Sequence, residues 1–248
     1  DEKANPSVFP KDSEELNLPH TWNGKDGQDG GNDYKRQKCY YFKEIAKTDL
    51  IGEENYLEFD AVSSSAEVFW NGASLAVHHG GYSRFRVKIP TEAIAETNIL
   101  AVSADNSPND RVYPQNADFT FYGGIYRGVK IVSVPSAHFD LEYYGAPGIM
   151  VTPTVKGKDA DVTVETFVKN ADSATITYKI LDGETVVAES TTSDTKINFT
   201  IENVHLWNGR KDPYLYTAKA TLIKDGKEID QISTRFGCRT FRVDPEKG

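Results

Sequence analysis

An all-β fold is predicted for this chain of 248 residues, and three observations carry the prediction. Apolar and polar residues alternate with period two over many short runs, as in 85–89 (FRVKI), which is the pattern of half-buried strands. The one helical candidate, 91–97, is too short for more than a turn or two. Residue pairs typical of tight hairpins separate the runs: Asn71-Gly72, Asp182-Gly183 and Asp225-Gly226. A parallel βαβ architecture is therefore excluded.

The strands follow one another through the whole chain. In the first half, alternation predicts strands over 56–62, 66–70, 84–89, 98–104 and 128–134. In the second half, it predicts strands over 162–168, 175–181, 196–201, 214–223 and 228–236. Thr91 is placed to cap the short helical turn between two of them. The segment 134–140 closes the first group, so we expect one domain over 1–137 and a second over 138–248.

The two halves differ in strand spacing, loop length and aromatic content, and these differences predict two kinds of β-sandwich. The second half has about 110 residues, evenly spaced short strands and Asp-Gly hairpins, as an immunoglobulin-like sandwich requires, although it lacks the cysteine–tryptophan–cysteine core of antibody domains. The first half has longer loops and more aromatic residues, which fit a jelly-roll, galactose-binding-like sandwich better. The expected order is therefore jelly roll first and immunoglobulin-like sandwich second.

Charge and composition exclude several classes of partner. The chain has 28 basic and 37 acidic residues, a net charge of −9, and neither sign forms a long run. We therefore expect no nucleic-acid or anionic-membrane partner. No stretch approaches the roughly 18 apolar residues of a membrane span, and the first residues lack the apolar core of a signal peptide. We expect a soluble protein and leave its compartment open, a periplasmic or secreted location in a bacterium included.

The sequence predicts no cofactor and no metal. The two cysteines, Cys39 and Cys238, cannot form a structural metal site by themselves. Each lies in a strand-like context, where a small buried hydrophobe is favoured over a disulfide, but whether they ever pair stays open. His78 and His79 are adjacent, so on a strand they would face opposite sides, and polar turn residues are the favoured interpretation.

A second metal hypothesis concerns the loop 24–36. Its aspartates, Asp26, Asp29 and Asp33, lie among glycines as in some calcium loops. The segment does not match the EF-hand register, which requires a closing glutamate and flanking helices. A flexible loop at the rim of the first sandwich is therefore preferred.

The candidate site lies in 117–129, ADFTFYGGIYRGV. Asp118 stands just before an aromatic run and the pair Gly123-Gly124. An aspartate beside aromatic rings suits a sugar, because the carboxylate accepts hydrogen bonds from hydroxyls and ring faces cover the apolar C–H side. The alternative is that Asp118 caps its own turn, the commoner role for an aspartate in this position. No nucleophile elbow and no phosphate cradle occur, so no catalytic residue is predicted.

Seven motifs follow one another in order along the chain. They are LPHTWN at 18–23, GGND at 30–33, VFWNGASLAVHHGGYSRFRVKI at 68–89, NILAVSADN at 98–106, ADFTFYGGIYR at 117–127, LWNGRKDPYLY at 206–216 and RFGCR at 235–239. With these motifs the chain closely resembles the N-terminal half of glycoside hydrolase family 2, the family of bacterial β-galactosidases, β-glucuronidases and β-mannosidases. In that family a jelly-roll sugar-binding domain precedes an immunoglobulin-like sandwich and a (β/α)8 barrel, which holds two catalytic glutamates.

The resemblance implies a non-catalytic role for these residues. The family's barrel begins shortly after a strand like 235–239, and only nine residues follow that strand here. The chain is thus expected to be inactive alone, shaping the sugar pocket and supporting the barrel of a β-galactosidase-type parent enzyme. The resemblance implies that Asp118 binds hydroxyls of the terminal sugar and that Arg127 holds the loop. Asn32 in GGND is the nearest candidate for a second sugar contact.

Two other classes of function stay open. A stand-alone carbohydrate-binding module or adhesin made of two sandwiches would need no barrel but would need a complete sugar pocket. A structural scaffold would use Asp118 for stability and not for sugar. The sequence leaves the identity of the sugar and the oligomeric state undecided.

Overall fold

The all-β prediction is confirmed. The computed structural model describes residues 4–26, 33–114 and 117–246, and these contain strands, turns and short 3-10 segments but no α-helix. The chain divides into two compact units, 1–134 and 135–248. Among the described residues, no helix has the length and apolar character needed to cross a membrane.

The described residues of unit 1 form two antiparallel sheets. A four-stranded sheet has the order β1-β6-β3-β4, and a three-stranded sheet has the order β5-β2-β7. The strands are β1 (Lys38–Ala46), β2 (Glu54–Phe59), β3 (Ser65–Trp70), β4 (Ala73–His79), β5 (Phe85–Ile89), β6 (Thr97–Asp105) and β7 (Val129–Val134).

The core of unit 1 follows from the alternation of its strands. In β5 the residues Phe85, Val87 and Ile89 are buried, as the sequence predicts. Of the two basic residues between them, Arg86 is half-buried and Lys88 is exposed. Leu57 belongs to the same apolar cluster. Trp70 is 1% exposed, and its indole N–H donates to the Ala93 carbonyl at 3.1 Å, so the ring is buried with its polar group satisfied.

In unit 2, residues 135–246 are described, and they form three antiparallel sheets with the orders β14-β10-β9, β11-β8 and β13-β12-β15-β16. The strands are β8 (His138–Phe139), β9 (Ile149–Lys156), β10 (Asp159–Thr166), β11 (Val168–Lys169), β12 (Thr175–Asp182), β13 (Thr185–Thr192), β14 (Lys196–Ile201), β15 (Tyr216–Lys224) and β16 (Lys227–Phe236).

Every second residue is buried throughout β10 and, in β12, as far as Ile180, and these positions form the middle of the unit 2 core. Tyr178 is fully buried, and its hydroxyl forms a 2.7 Å hydrogen bond with that of Thr166. The same Tyr178 hydroxyl lies 3.1 Å from the Asp194 carbonyl, to which it can donate. The core therefore holds a tyrosine without leaving its hydroxyl unpaired.

The predicted turn pairs close hairpins in both units. Asn71 and Gly72 have φ of 50° and 86° between β3 and β4, the two positive values of a type I′ turn. Asp225 and Gly226, with φ of 50° and 72°, connect β15 to β16 in the same way. Type I′ turns match the twist of the strands they join and need positive φ at both central residues, which is why Asn-Gly and Asp-Gly occur there.

The expected helical turn at 91–97 is shorter than predicted, and Thr91 does not cap it. The 3-10 turn spans Thr91–Ala93, its N-cap is Pro90, and no side chain caps it. Asn98 supplies the reason, because its Oδ1 accepts from the Ala95 N–H and its Nδ2 donates to the Ala95 carbonyl, both at 2.8 Å. These are the backbone groups that a continuing helix would use.

A buried ion cluster lies on the sheet β5-β2-β7. Glu58 on β2 is 3% exposed and lies opposite Arg86 on β5 and Lys130 on β7. Its Oε2 is 2.5 Å from Arg86 Nε, and its Oε1 is 2.8 Å from Lys130 Nζ. Burial alone would raise the pKa of the Glu58 carboxyl, but hydrogen bonds from Lys130 and Arg86, with the charge of Arg84, hold that pKa below its ordinary value of 4.5.

The Glu58 cluster predicts a loss of stability in acid. A carboxyl whose folded pKa is lowered contributes stability above its unfolded pKa near 4.5, and that stability is lost as pH falls through the folded pKa. Below about pH 5, the free energy of unfolding should fall more steeply in the natural chain than in Glu58→Gln, by at most about 1.4 kcal/mol per pH unit. Urea titrations at several pH values would measure the difference.

Glu96→Gln is the matched control for the acid prediction. Glu96 pairs with Lys47 at 3.0 Å, but the two side chains are 87% and 57% exposed. Exposed pairs contribute about 0–1 kcal/mol, so this variant should keep the natural pH slope. Equal slopes for the natural chain and Glu58→Gln would contradict the prediction.

Candidate functional site

Asp118 lies in the long loop between β6 and β7, and its side chain is exposed. Among the residues that the structure describes, no hydrogen bond or ion pair engages its carboxylate. Two exposed aromatic side chains belong to the same loop, Tyr113 at 78% and Phe119 at 50% exposed. The Phe119 ring lies 5.1 Å from that of Phe121. The loop thus carries an exposed carboxylate and exposed aromatic rings.

The glycine pair fastens this loop to the sandwich. Gly124 and Ser63 exchange two backbone hydrogen bonds, of 3.0 and 3.2 Å, forming an isolated antiparallel bridge. A Cβ on Gly123 would lie 2.1 Å from a ring carbon of Trp22, so only glycine fits there without displacement. The pair therefore provides the close approach that its sequence suggests.

Two buried asparagines hold the same region and were not predicted as site residues. Asn106, directly after β6, donates from Nδ2 to the Phe121 carbonyl at 2.8 Å and to Asn23 Oδ1 at 3.1 Å. Asn23 Oδ1 also accepts from the Gly123 N–H at 2.8 Å. Both asparagines are 0% exposed. Each ends one of the quoted motifs, LPHTWN and NILAVSADN, and that position was the available signal.

Arg36 contacts both Asn106 and the aromatic part of the same loop. Its Nε donates to the Asn106 carbonyl at 2.8 Å. Its guanidinium carbon lies 5.1 Å from the centre of the Phe121 ring and 6.0 Å from that of Tyr34. The Tyr34 hydroxyl accepts from the Phe121 N–H at 3.1 Å. The aromatic part of the motif is thus held by hydrogen bonds and cation–π contacts.

Arg127 and Tyr126 contact the turn after β4. The Tyr126 hydroxyl donates to the Gly81 carbonyl, and Arg127 Nη1 donates to the Tyr82 carbonyl at 3.2 Å. Burial raises the pKa of the Tyr126 hydroxyl, which therefore stays protonated as a donor. These contacts favour the loop-holding role that the resemblance implies for Arg127.

Asn32 and Asp29 lie outside the described residues. The second sugar contact proposed for Asn32 and the calcium ligand considered at Asp29 therefore stay predictions. Asp26 is described, and its Oδ2 accepts from the Lys35 N–H at 3.0 Å, closing the base of the loop. Over the described ranges, no group of three or more histidine, cysteine or acidic residues is arranged to hold a metal.

The prediction of turn residues is wrong for His78 and His79, which end strand β4 because they pair with Ala66 and Ser65 of β3. His78 Nε2 lies 3.1 Å from Ser83 Oγ, and His79 Nδ1 lies 3.0 Å from Ser65 Oγ, so each histidine has its own serine partner. Burial lowers the pKa of His78.

Cys39 and Cys238 are both free thiols.

A cavity of about 1060 Å³ lies in unit 1 between the N-terminal segment and β1. Its floor is apolar and includes Leu57, Phe59 and Val102, while Lys11 and Glu14 contribute to its lining. Asp118 does not line it, although Ile125 and Val129 of the segment 117–129 do.

Comparison with known proteins assigns the family. Two models that describe glycosyl hydrolases match the chain in sequence order. "Glycosyl hydrolases family 2, sugar binding domain" matches residues 31–135, and "Glycosyl hydrolases family 2" matches residues 147–239. The chain belongs to glycosyl hydrolase family 2, which confirms the resemblance found in the sequence.

The relatives include both β-glucuronidases and β-galactosidases. A β-glucuronidase of Bacteroides fragilis is 33% identical over 96% of this chain and 36% of its own length. The β-galactosidase BoGH2A of Bacteroides ovatus is 30% identical over 99% of this chain and 30% of its own length. The crystal structure of an FMN-binding β-glucuronidase from Facaelibacterium prausnitzii is 40% identical with a TM-score of 0.87, over 97% of this chain and 39% of that one. The chain therefore spans about a third of the length of these relatives.

Proposed function

We propose that this chain is the non-catalytic, sugar-binding part of a β-glycoside hydrolase of the β-glucuronidase or β-galactosidase type. The observation that carries the proposal is the ordered match to the two family 2 models, together with relatives about three times as long. The jelly-roll and immunoglobulin-like architectures, and the domains 1–137 and 138–248, belong to the same proposal. Its role is to shape the sugar pocket and to support a (β/α)8 barrel that hydrolyses the glycosidic bond.

Asp118 is the proposed contact with the sugar. Its exposed carboxylate, presented beside Phe119, is suited to accept hydrogen bonds from two sugar hydroxyls, and charge-assisted bonds of this kind are the stronger ones. Asn32 is proposed as a weaker second contact. The bond-breaking chemistry would come from two glutamates of the barrel, about 5–5.5 Å apart in a retaining mechanism. Asp118 then fixes the orientation of the terminal sugar between them.

The isolated chain tests this function. We expect it to release no product from p-nitrophenyl β-D-glucuronide or p-nitrophenyl β-D-galactoside, while the longer protein of the proposal hydrolyses one of them. Because the β-glucuronidase of Bacteroides fragilis and the FMN-binding β-glucuronidase are among the similar proteins, we expect the glucuronide to be the better substrate. Turnover by the isolated chain would overturn the non-catalytic assignment.

Sugar binding separates the proposal from its main rival. Half a pocket should bind glucuronic acid or galactose weakly or not at all, because the remaining hydroxyls have no partners. Titration of the isolated chain by calorimetry would measure this. Tight, saturable binding would favour a stand-alone carbohydrate-binding module or adhesin.

A further inference from the structure

The two ends of strand β6 carry asparagines that are equally buried but differently connected. Asn98 and Asn106 are both 0% exposed. Asn98 bonds both polar groups of Ala95, donates to the Ile45 carbonyl at 3.2 Å and accepts from Asn71 Nδ2 at 3.0 Å, and none of these partners belongs to the Asp118 loop. Asn106 joins three segments that are far apart in the sequence. We propose that Asn106 is a positioning residue that fixes the Asp118 loop for sugar binding, an inference that rests on the proposed function.

The amide of Asn106 is suited to this role because it both donates and accepts. Its Oδ1 accepts from the Gln37 N–H at 2.8 Å. Its Nδ2 donates to the Phe121 carbonyl at 2.8 Å and faces the Lys35 carbonyl at 3.3 Å. Phe121 follows Asp118 by three residues. A carboxylate in place of the amide could not donate to these carbonyls and would repel them.

Asn23 completes the attachment. The Asn23 Nδ2 donates to the Lys35 carbonyl at 2.8 Å, which orients its Oδ1 toward both Asn106 and the Gly123 N–H. The amide pair thus holds the Phe121 carbonyl and the Gly123 N–H, two residues apart on the loop. Because both asparagines are fully buried, unmade hydrogen bonds here would be costly, so the backbone at 121–123 is held in one position.

The attachment at 121–123 determines where the Asp118 carboxylate lies. After Asn106 the loop contacts β3 through a 2.9 Å hydrogen bond from Asn109 Nδ2 to Ser65 Oγ, and it is held again at Phe121 and Gly123. Asp118 stands just before this later attachment. A shift of the attachment would move the carboxylate relative to a sugar held by the rest of the pocket, and small misplacements lower rates markedly. Asn106 itself is not proposed to touch the sugar.

Hydrogen exchange of the chain tests the attachment, with Asn98→Asp as the matched control for Asn106→Asp. Each variant puts a carboxylate in place of a fully buried amide, within β6 for Asn98 and directly after β6 for Asn106. Asn106→Asp should speed exchange in peptides covering 117–128, whereas Asn98→Asp should speed exchange in 93–99 and leave 117–128 unchanged. If Asn106→Asp does not fold, Asn23→Asp replaces it, with a smaller increase expected in 117–128. Unchanged exchange in 117–128 would overturn the inference.

Kinetics of the longer enzyme test the positioning role. With p-nitrophenyl β-D-glucuronide and β-D-galactoside as probes, Asn106→Asp should lower kcat/KM about threefold to tenfold when Asp118 is present and have no further effect in Asp118→Asn. Asn98→Asp should have the same effect in both backgrounds. An Asn106→Asp effect that is also the same in both would overturn the inference. An unchanged kcat/KM in Asp118→Asn alone would instead overturn the proposed function, so the two failures are distinguishable.

Discussion

In the longer glycoside hydrolase, Asp118→Asn is expected to lower kcat/KM about tenfold to 150-fold. The change removes a charge-assisted hydrogen bond to sugar hydroxyls, which contributes about 1.5–3 kcal/mol. It keeps the size and shape of the side chain, and no hydrogen bond or ion pair between the Asp118 carboxylate and another described residue is lost. The loss should therefore appear in catalysis and not in stability. Steady-state kinetics with p-nitrophenyl β-D-glucuronide and β-D-galactoside, together with urea denaturation, would measure both.

Asp110→Asn is the control for the Asp118 prediction. Asp110 lies in the same loop and is also exposed, so its replacement removes the same charge from the same surface. An effect of general electrostatics would lower kcat/KM similarly in both variants, while a specific contact would lower it only in Asp118→Asn. Equal losses would contradict the assignment of Asp118, and a loss of stability without a kinetic change would favour the structural scaffold.

The sequence predicted strands with uninterrupted alternation, edge strands such as β5 included, and it missed other edge strands, among them β9 and β1. Strand β5 matches its alternation from Phe85 to Ile89 because one face packs into the core. Strand β9 was missed because Pro153 interrupts its pattern, since proline donates no hydrogen bond to a neighbouring strand. The structure accommodates Pro153 because β9 is at the edge of the sheet β14-β10-β9. Strand β1, Lys38–Ala46, was also missed and is also an edge strand.

The candidate site shows the same division between local and distant information. The motif around Asp118 and the glycine pair could be recognised from neighbouring residues. The hydrogen bond between Asn23 and Asn106 could not, because 83 residues separate the two and nothing local indicates that either side chain is buried. In the sequence, Glu58 likewise occupies a polar position of an alternating strand, a pattern that predicts an exposed side chain. Its burial follows from the pairing of β2 with β5 and β7, which the local sequence does not indicate. Partner identity across strands, and not residue type, was the missing information.

Gly124→Ala is expected to destabilise unit 1 by about 3–5 kcal/mol, a sum of backbone strain and steric overlap. Gly124 has φ of 128°, a conformation that residues with a Cβ rarely adopt. A Cβ would lie 2.6 Å from the His20 carbonyl oxygen and 2.7 Å from the Tyr41 hydroxyl. Neither neighbour can move freely, because His20 Nδ1 and the Tyr41 hydroxyl are hydrogen-bonded at 2.9 Å and the His20 N–H donates to the Ile125 carbonyl at 2.8 Å.

Gly80→Ala separates the two contributions. Gly80 has a similar φ of 118°, but the nearest atom to its added Cβ would be Ser83 Oγ at 3.7 Å, an ordinary contact. Strain alone should then cost about 1–3 kcal/mol. Because the chain has two units, urea unfolding should be followed by pulsed hydrogen exchange of peptides from β2, which report on unit 1. Equal losses in the two variants would show that Gly124 is needed only for its backbone angle, whereas a larger loss in Gly124→Ala would locate the extra cost in the contact with His20 and Tyr41.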